Sequence, residues 1–420
     1  MKTRTELLPG VFLTSIRTDK FKTGCFSINF VRPLCHEEAG KNALFPSILL
    51  RGSEQYPTMK AISDELDEMY GATVGALLRK KGEVQMTGFY ADFIEDDLVG
   101  EALFARVMRF VFELLFHPVL ENGGFRADYF ESEKRVQLND IAARINNKRS
   151  YAVNRMLSVM CADEAFRVLR IGDAEDLDGV TPENLYAHYR NVLATSGVEL
   201  FYMGRKTTDE VAALLRGYLK ELPRGEIVQT TTRVIPAASR VHEVTESLDV
   251  TQGKLCMGFR TGCAGADREY PALMVMNTIF GGGVTSKLFL KVREEMGLCY
   301  YAGSACNRMK GILHVSAGIE FDKYETAKNE ILHQLSLCCD GEITDEELES
   351  ARRYLLSELK LALDNPGQLD DFYVGQAVAG LDGTFEQLAE DVARVTKDDV
   401  IRAAKKITLD TVYFLKGEQA

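Results

Sequence analysis

Residues 130–141 read FESEKRVQLNDI and residues 348–359 read LESARRYLLSEL; laid together without a gap, Glu131 meets Glu349, Ser132 meets Ser350, Arg135 meets Arg353 and Leu138 meets Leu356. The order is kept on both sides of this match. Downstream, TPENLYAHYRNVLATSGVELFYMG (181–204) pairs with TKDDVIRAAKKITLDTVYFLKG (396–417), each a Thr-capped helix leading into a β-rich run that stops at Gly. Upstream, CFSINFVRP (25–33) pairs with KLCMGFRTG (254–262). Between these, NALFPSILLRGSEQYPTMKAISDELDEMYGATVGALL (42–78) pairs with PALMVMNTIFGGGVTSKLFLKVREEMGLCYYAGSAC (271–306). The chain therefore reads as one unit of about two hundred residues written twice.

Each half gives a strand, a helix, a short amphipathic helix, two strands, several helices and a last strand. The spacing predicts a helix over 58–70 with Met59, Ile62, Leu66 and Met69 on one face, and another over 285–296 with Phe289, Val292 and Met296 together. A third, over 345–363, opens on a capping box of Thr344 and Glu347. Runs 72–79 and 83–91, joined by a short Lys-Gly turn, predict antiparallel pairing. Strands and helices without regular βαβ alternation point to the α+β class: two homologous domains, each a mostly antiparallel sheet with helices packed on it. The periodicity lapses in ELPRGEIVQTTTRVIPAASR (221–240). The expected division is a domain over 1–222, a linker over 223–240 and a domain over 241–420.

The composition supports large cores: 420 residues, 46% hydrophobic and 27% charged, more than one core normally holds. A net charge of −12 opposes binding to nucleic acid, and short basic runs such as Arg79-Lys80-Lys81 read as solvated surface. Nine cysteines with no Cys-x-x-Cys pair suit a reducing compartment. The first residues, MKTRTELLPGVFLTSIRTDKFKTG, lack an apolar signal core, and no run approaches the roughly 20 apolar residues that span a bilayer. The expectation is a cytoplasmic protein without a membrane partner.

Chemistry-bearing groups are sparse. His36 in CHEEAG has carboxylates beside it, but neighbours in a loop diverge, and the other five histidines have no ligand partner at helical spacing. GGGVTSK (281–287) lacks the Gly directly before Lys that a phosphate loop needs and reads as a hinge. In VREEMGLCYY (292–301), Gly297 is placed to end a helix, which leaves Arg293 in the last turn and Tyr300 at the start of a strand. Their side chains can then converge across the turn. Taken alone, the pair reads as a surface Arg at a helix end and a half-buried Tyr.

The duplication, the stretch FGGGVTSKLFLKVREEMGLCYYAGS (280–304) and the order of elements over 42–91 together resemble the insulinase-like, or pitrilysin, metallopeptidases, which include the mitochondrial processing peptidases. Members of that family carry His-x-x-Glu-His on the first helix of the N-terminal half and a Glu ligand on a later helix. Setting the family's trailing Gly-Thr signature on LRGS (50–53) puts Ala43 and Ser47 at the histidine positions, Pro46 at the catalytic Glu and Asp140 at the later ligand. The resemblance thus implies a degenerate zinc site, no metal in this chain, and a chain that is inactive alone. Arg293 and Tyr300 match a pair that active members aim at the substrate carbonyl.

Small members of the family resemble half a clamshell and close in pairs; in some, one subunit brings zinc and the other the Arg/Tyr pair. The likeness here is to the second kind, and most of all to the non-catalytic member of a paired bacterial set linked to modification of an elongation factor. It implies a zinc-bearing homologous partner, a peptide substrate and Arg293/Tyr300 acting in trans. The alternatives are a scaffold or peptide-binding homologue with no part in proteolysis, and an enzyme using some other site.

Overall fold

The computed structural model describes residues 2–418. The chain forms two compact units. The first comprises Met1–Ala142, Val168–Thr231 and Asn365–Leu381; the second comprises Ala143–Arg167, Thr232–Asp364 and Asp382–Ala420.

The first unit holds a six-stranded sheet in the order Lys2–Leu8, Val11–Arg17, Gly197–Gly204, Thr23–Pro33, Val84–Ile94, Thr73–Lys81. All neighbours are antiparallel except Val11–Arg17 with Gly197–Gly204. The second unit repeats this with five strands in the order His242–Leu248, Thr408–Gly417, Gly253–Arg260, Ile312–Ile319, Cys299–Asn307. Here too a single pair is parallel, His242–Leu248 with Thr408–Gly417. The duplication expected from 130–141 and 348–359 is therefore present in topology, the first sheet adding Lys2–Leu8 at its edge.

Alternation along the strands decides what each sheet face meets. On Thr23–Pro33, Phe26, Ile28 and Phe30 enter a core filled by Leu44, Phe45 and Ile48 of helix His36–Leu49 and by Val107, Met108 and Val111 of helix Leu103–Phe116. The intervening Cys25, Ser27 and Asn29 point to the opposite face and are also fully buried. Their cover includes helix Pro366–Val378, whose Asp370 accepts from the Ser27 hydroxyl at 2.7 Å and pairs with Arg79. On Gly253–Arg260, Leu255, Met257 and Phe259 face the second core, while Cys256 packs with Ala152, Met156 and Met160 of helix Lys148–Met160. A Cβ on Gly258 would stand 2.5 Å from the Met156 sulfur, so glycine is what lets that helix lie down on the strand.

The offset that carries residue 130 onto 348 also carries helix 148–160 onto helix 366–378. Both helices belong to the unit built mainly from the other half of the chain. The division of the chain thus differs from the linear cut: a change of unit does fall at Thr231/Thr232, inside 223–240, but 143–167 and 365–381 cross over. The physical reason is that the second face of each sheet needs a cover that its own half does not supply. In the second unit the crossing segment is held by a buried cluster, Glu164 with Arg260 at 2.7 Å and Lys310 at 2.5 Å, and Arg260 with Asp410 at 2.8 Å.

Local expectations were met in part. The Thr344/Glu347 capping box is formed on helix Asp345–Ala362, and strands Thr73–Lys81 and Val84–Ile94 pair antiparallel. On helix Met59–Glu68, however, Met59 is exposed while Ile62 is buried, because the helix meets the core one turn later. The helix expected over 285–296 is a π-helix over Leu288–Glu295, which moves Met296 to an exposed position at its end. Among the described residues no helix is long and apolar enough to cross a membrane.

Candidate functional site

Helix His36–Leu49 places Ala43, Pro46 and Ser47 in sequence along it, Pro46 buried and the other two half-buried. Pro46 has no N–H, so the carbonyl of Asn42 loses its helical donor. The Thr87 hydroxyl, from strand Val84–Ile94, donates to that carbonyl at 2.6 Å instead. The side chain of Asn42 starts a buried network. Its Nδ2 donates to Gln85 Oε1 at 2.9 Å, and Gln85 Nε2 donates to the carbonyls of Ala39 and Arg170 at 3.1 and 2.8 Å.

His188 Nε2 lies 2.8 Å from Asn42 Oδ1. Burial pushes the imidazole pKa down to about 4, with Glu38 opposing and Lys41 and Arg32 reinforcing. The ring is therefore neutral at pH 7. Since Asn42 Nδ2 is already donating, Oδ1 is the acceptor and the His188 proton sits on Nε2. Glu38, against its own burial, is held below the usual carboxylate range by Arg32, which grips it through Nε at 2.8 Å and Nη2 at 2.5 Å.

The later ligand position lies on helix Ala127–Ala143. That helix touches the first one: Gln137 Nε2 donates to the Gly40 carbonyl at 3.0 Å and to Ile171 at 2.8 Å. Asp140, a turn further on, is exposed. Of the four positions, Ala43 and Pro46 offer no lone pair, leaving one hydroxyl and one exposed carboxylate. A catalytic zinc needs three protein ligands and a water, so these residues do not fit the ion. Gln85, Thr87, Gln137 and His188 were not legible as members of this site, because they arrive from distant elements and share no motif. One other group, His36 with Asp173 and Asp176, brings metal-ligating atoms within 4.8 Å of one another; His36 Nδ1 lies 3.1 Å from Asp176 Oδ1 at the start of the helix.

In the second unit the turn expected between Arg293 and Tyr300 is formed. Gly297 adopts φ +59°, the left-handed conformation that ends a helix, and Leu298 N–H donates back to Val292. The strand that follows pairs Cys299 with Ile319 and Tyr301 with Gly318, which leaves Tyr300 as the extra residue of a β-bulge. Bulges re-aim side chains, and Tyr300 stands 78% exposed. Arg293 is 38% exposed; its guanidinium lies 4.6 Å from the Phe289 ring and its Nε 3.5 Å from Glu294. Its charge reaches Cys299, the neighbour of Tyr300: burial pushes that thiol up to about 11 and Arg293 opposes the shift. The two donors thus flank one turn, Tyr300 exposed and Arg293 partly so. Two π-helical stretches, Thr278–Gly282 and Leu288–Glu295, precede it. Gly281 permits the first to run against the strand, since a Cβ there would stand 2.6 Å from the Ser304 hydroxyl.

Residues 179–355 match the family model described as the peptidase M16 inactive domain. The chain is 32% identical over 416 residues to the "Probable inactive metalloprotease YmfF" of Bacillus subtilis, covering 98% of this chain and 96% of that one. It is also similar to the crystal structure of a conserved protein from Enterococcus faecalis, with a TM-score of 0.92, 29% identity and coverage of 100% and 99%. The fold is shared with the peptidase M16 inactive domain structure from Pseudomonas fluorescens, at a TM-score of 0.81, 15% identity and coverage of 99% and 98%. The resemblance read from the repeat and from residues 280–304 is borne out: this chain belongs to the M16 peptidase family.

Proposed function

We propose that this chain is the zinc-free subunit of a cytoplasmic heterodimeric metallopeptidase, lending Arg293 and Tyr300 to the substrate carbonyl in a site whose zinc and general base belong to a homologous partner. The observation that carries this reading is the display of Tyr300: a large aromatic residue at a bulge in the sheet, 78% exposed, across a turn from an arginine whose Nε is 3.5 Å from Glu294. A bulge and two π-helical stretches are local departures from regular geometry of the kind that gathers at functional sites. A phenol and a guanidinium together are the donors that stabilise a developing oxyanion. The peptide-cleaving chemistry has to come from elsewhere, because Ala43, Pro46, Ser47 and Asp140 supply neither three ligands nor a base.

The test is kinetic. In the assembled complex, Tyr300→Phe should lower kcat about 10²-fold while the complex still elutes as one species. An unchanged kcat would remove Tyr300 from the chemistry. A complex inactive on every peptide of a random library would favour the scaffold reading, for which the satisfied network around Asn42 serves equally well.

A further inference from the structure

The second face of the second sheet carries an electrostatic feature with no counterpart in the reading above. Lys254, on strand Gly253–Arg260, and Arg149, in the first turn of helix Lys148–Met160, both lie over the ring of Tyr301, at 5.9 and 4.2 Å from its centroid. Among the described residues no carboxylate lies within ion-pair distance of either cation; Lys254 donates instead to the Gln252 amide oxygen at 2.8 Å. The two charges repel, and their effect spreads: burial lowers the Lys254 pKa and Arg149 lowers it further, and the half-buried His314 is depressed by burial and then by Arg149. The free N–H groups at the start of the helix add to the same sign of potential.

Hydroxyls complete the group. Ser316, 3% exposed, and Tyr301 lie side by side on this face; their buried oxygens reach each other, and that of Ser316 also the Cys256 thiol, but neither forms a hydrogen bond of good geometry. Buried polar atoms left unpaired are rare, because each forfeits its hydration for nothing. The corresponding face of the first sheet differs. There Ser27 and Arg79 both meet the carboxylate of Asp370, supplied by helix Pro366–Val378, whereas position 152 of helix Lys148–Met160, which the repeat offset aligns with 370, is alanine. Two cations and two poorly satisfied hydroxyls thus stand where the sister unit has an acid. We infer that Arg149, Lys254, Tyr301 and Ser316 form a binding site for a small oxyanion, a phosphate or a carboxylate brought by a ligand. The anion would take charge-assisted hydrogen bonds from the two cations and better-formed hydrogen bonds from the two hydroxyls.

Calorimetric titration of the full chain with inorganic phosphate at low ionic strength tests this. The wild type should give a saturable heat, and Arg149→Ala and Lys254→Met should each weaken affinity at least tenfold, with Tyr301→Phe weakening it less. Arg149 is exposed, so its variant keeps the fold even where Lys254→Met does not. The exposed Arg394→Ala serves as a charge-matched control and should bind like the wild type. Competition then identifies the source: displacement of phosphate by a peptide with a free C-terminal carboxylate and not by its amide assigns the anion to a peptide end, and displacement by neither assigns it to a free oxyanion. Absence of saturable heat, or heat unchanged in Arg149→Ala, overturns the proposal.

Discussion

Pro46 stands where the family resemblance sets a catalytic glutamate, and its surroundings are arranged for a proline. The carbonyl that it strips of a donor is met by Thr87, and the amide one turn earlier is tied to Gln85 and His188. Asn42, Gln85, Thr87 and His188 are joined by neutral hydrogen bonds that need no metal, while Gln137 Oε1 is buried without a partner. Thr87→Val should therefore destabilise the chain by about 1–3 kcal/mol in urea unfolding, since it leaves the Asn42 carbonyl buried and unpaired. In a Pro46→Ala background, where the helix regains its own N–H at that position, the same change should be milder. Equal effects in both backgrounds would show that the hydroxyl does not substitute for the missing helical donor.

At the scale of elements, the two crossing helices are pinned by charge as well as by packing. Glu164, Arg260, Lys310 and Asp410 form a cluster with little or no exposure, in which each ion has an opposite neighbour. Breaking one member strands the rest, so Arg260→Met should destabilise the chain by about 3–5 kcal/mol. Burial raises the Glu164 pKa, but the hydrogen bonds and charges of Arg260 and Lys310 outweigh it and hold the group below its ordinary value of 4.5. A carboxylate depressed on folding contributes stability above its unfolded pKa and loses that contribution as pH falls through the folded one. Acid unfolding followed by circular dichroism should accordingly show Glu164→Gln with a shallower loss of stability below pH 4.5 than the wild type; parallel curves would place the acid sensitivity elsewhere. The strands, the caps and the repeat were legible because each is written in local spacing. The crossing of helices 148–160 and 366–378 was not, since an amphipathic pattern states that a helix will be covered and leaves open by which sheet. The π-helix over Leu288–Glu295 was likewise hidden, because its apolar spacing over 289–296 is close enough to an α-helical one to be read as such.

For the whole molecule, the duplicated sheets make two scaffolds of one design on which different things have survived. In the first, Asn42, Gln85, Thr87 and His188 form a hydrogen-bonded network beside the positions that the resemblance assigns to a metal site; the second displays Tyr300 near Arg293. Setting Ala43, Pro46 and Ser47 against the family's motif needs only the sequence, whereas the residues that pack around them came only with the tertiary structure. The claim on which the rest depends is that residues 43–47 and 140 hold no zinc. Metal analysis of the purified chain after equilibration with zinc and gel filtration tests it most directly. The account predicts zinc well below one atom per chain and no change in that content when Asp140 is replaced by alanine. One tightly held zinc per chain, lost in Asp140→Ala, would contradict it.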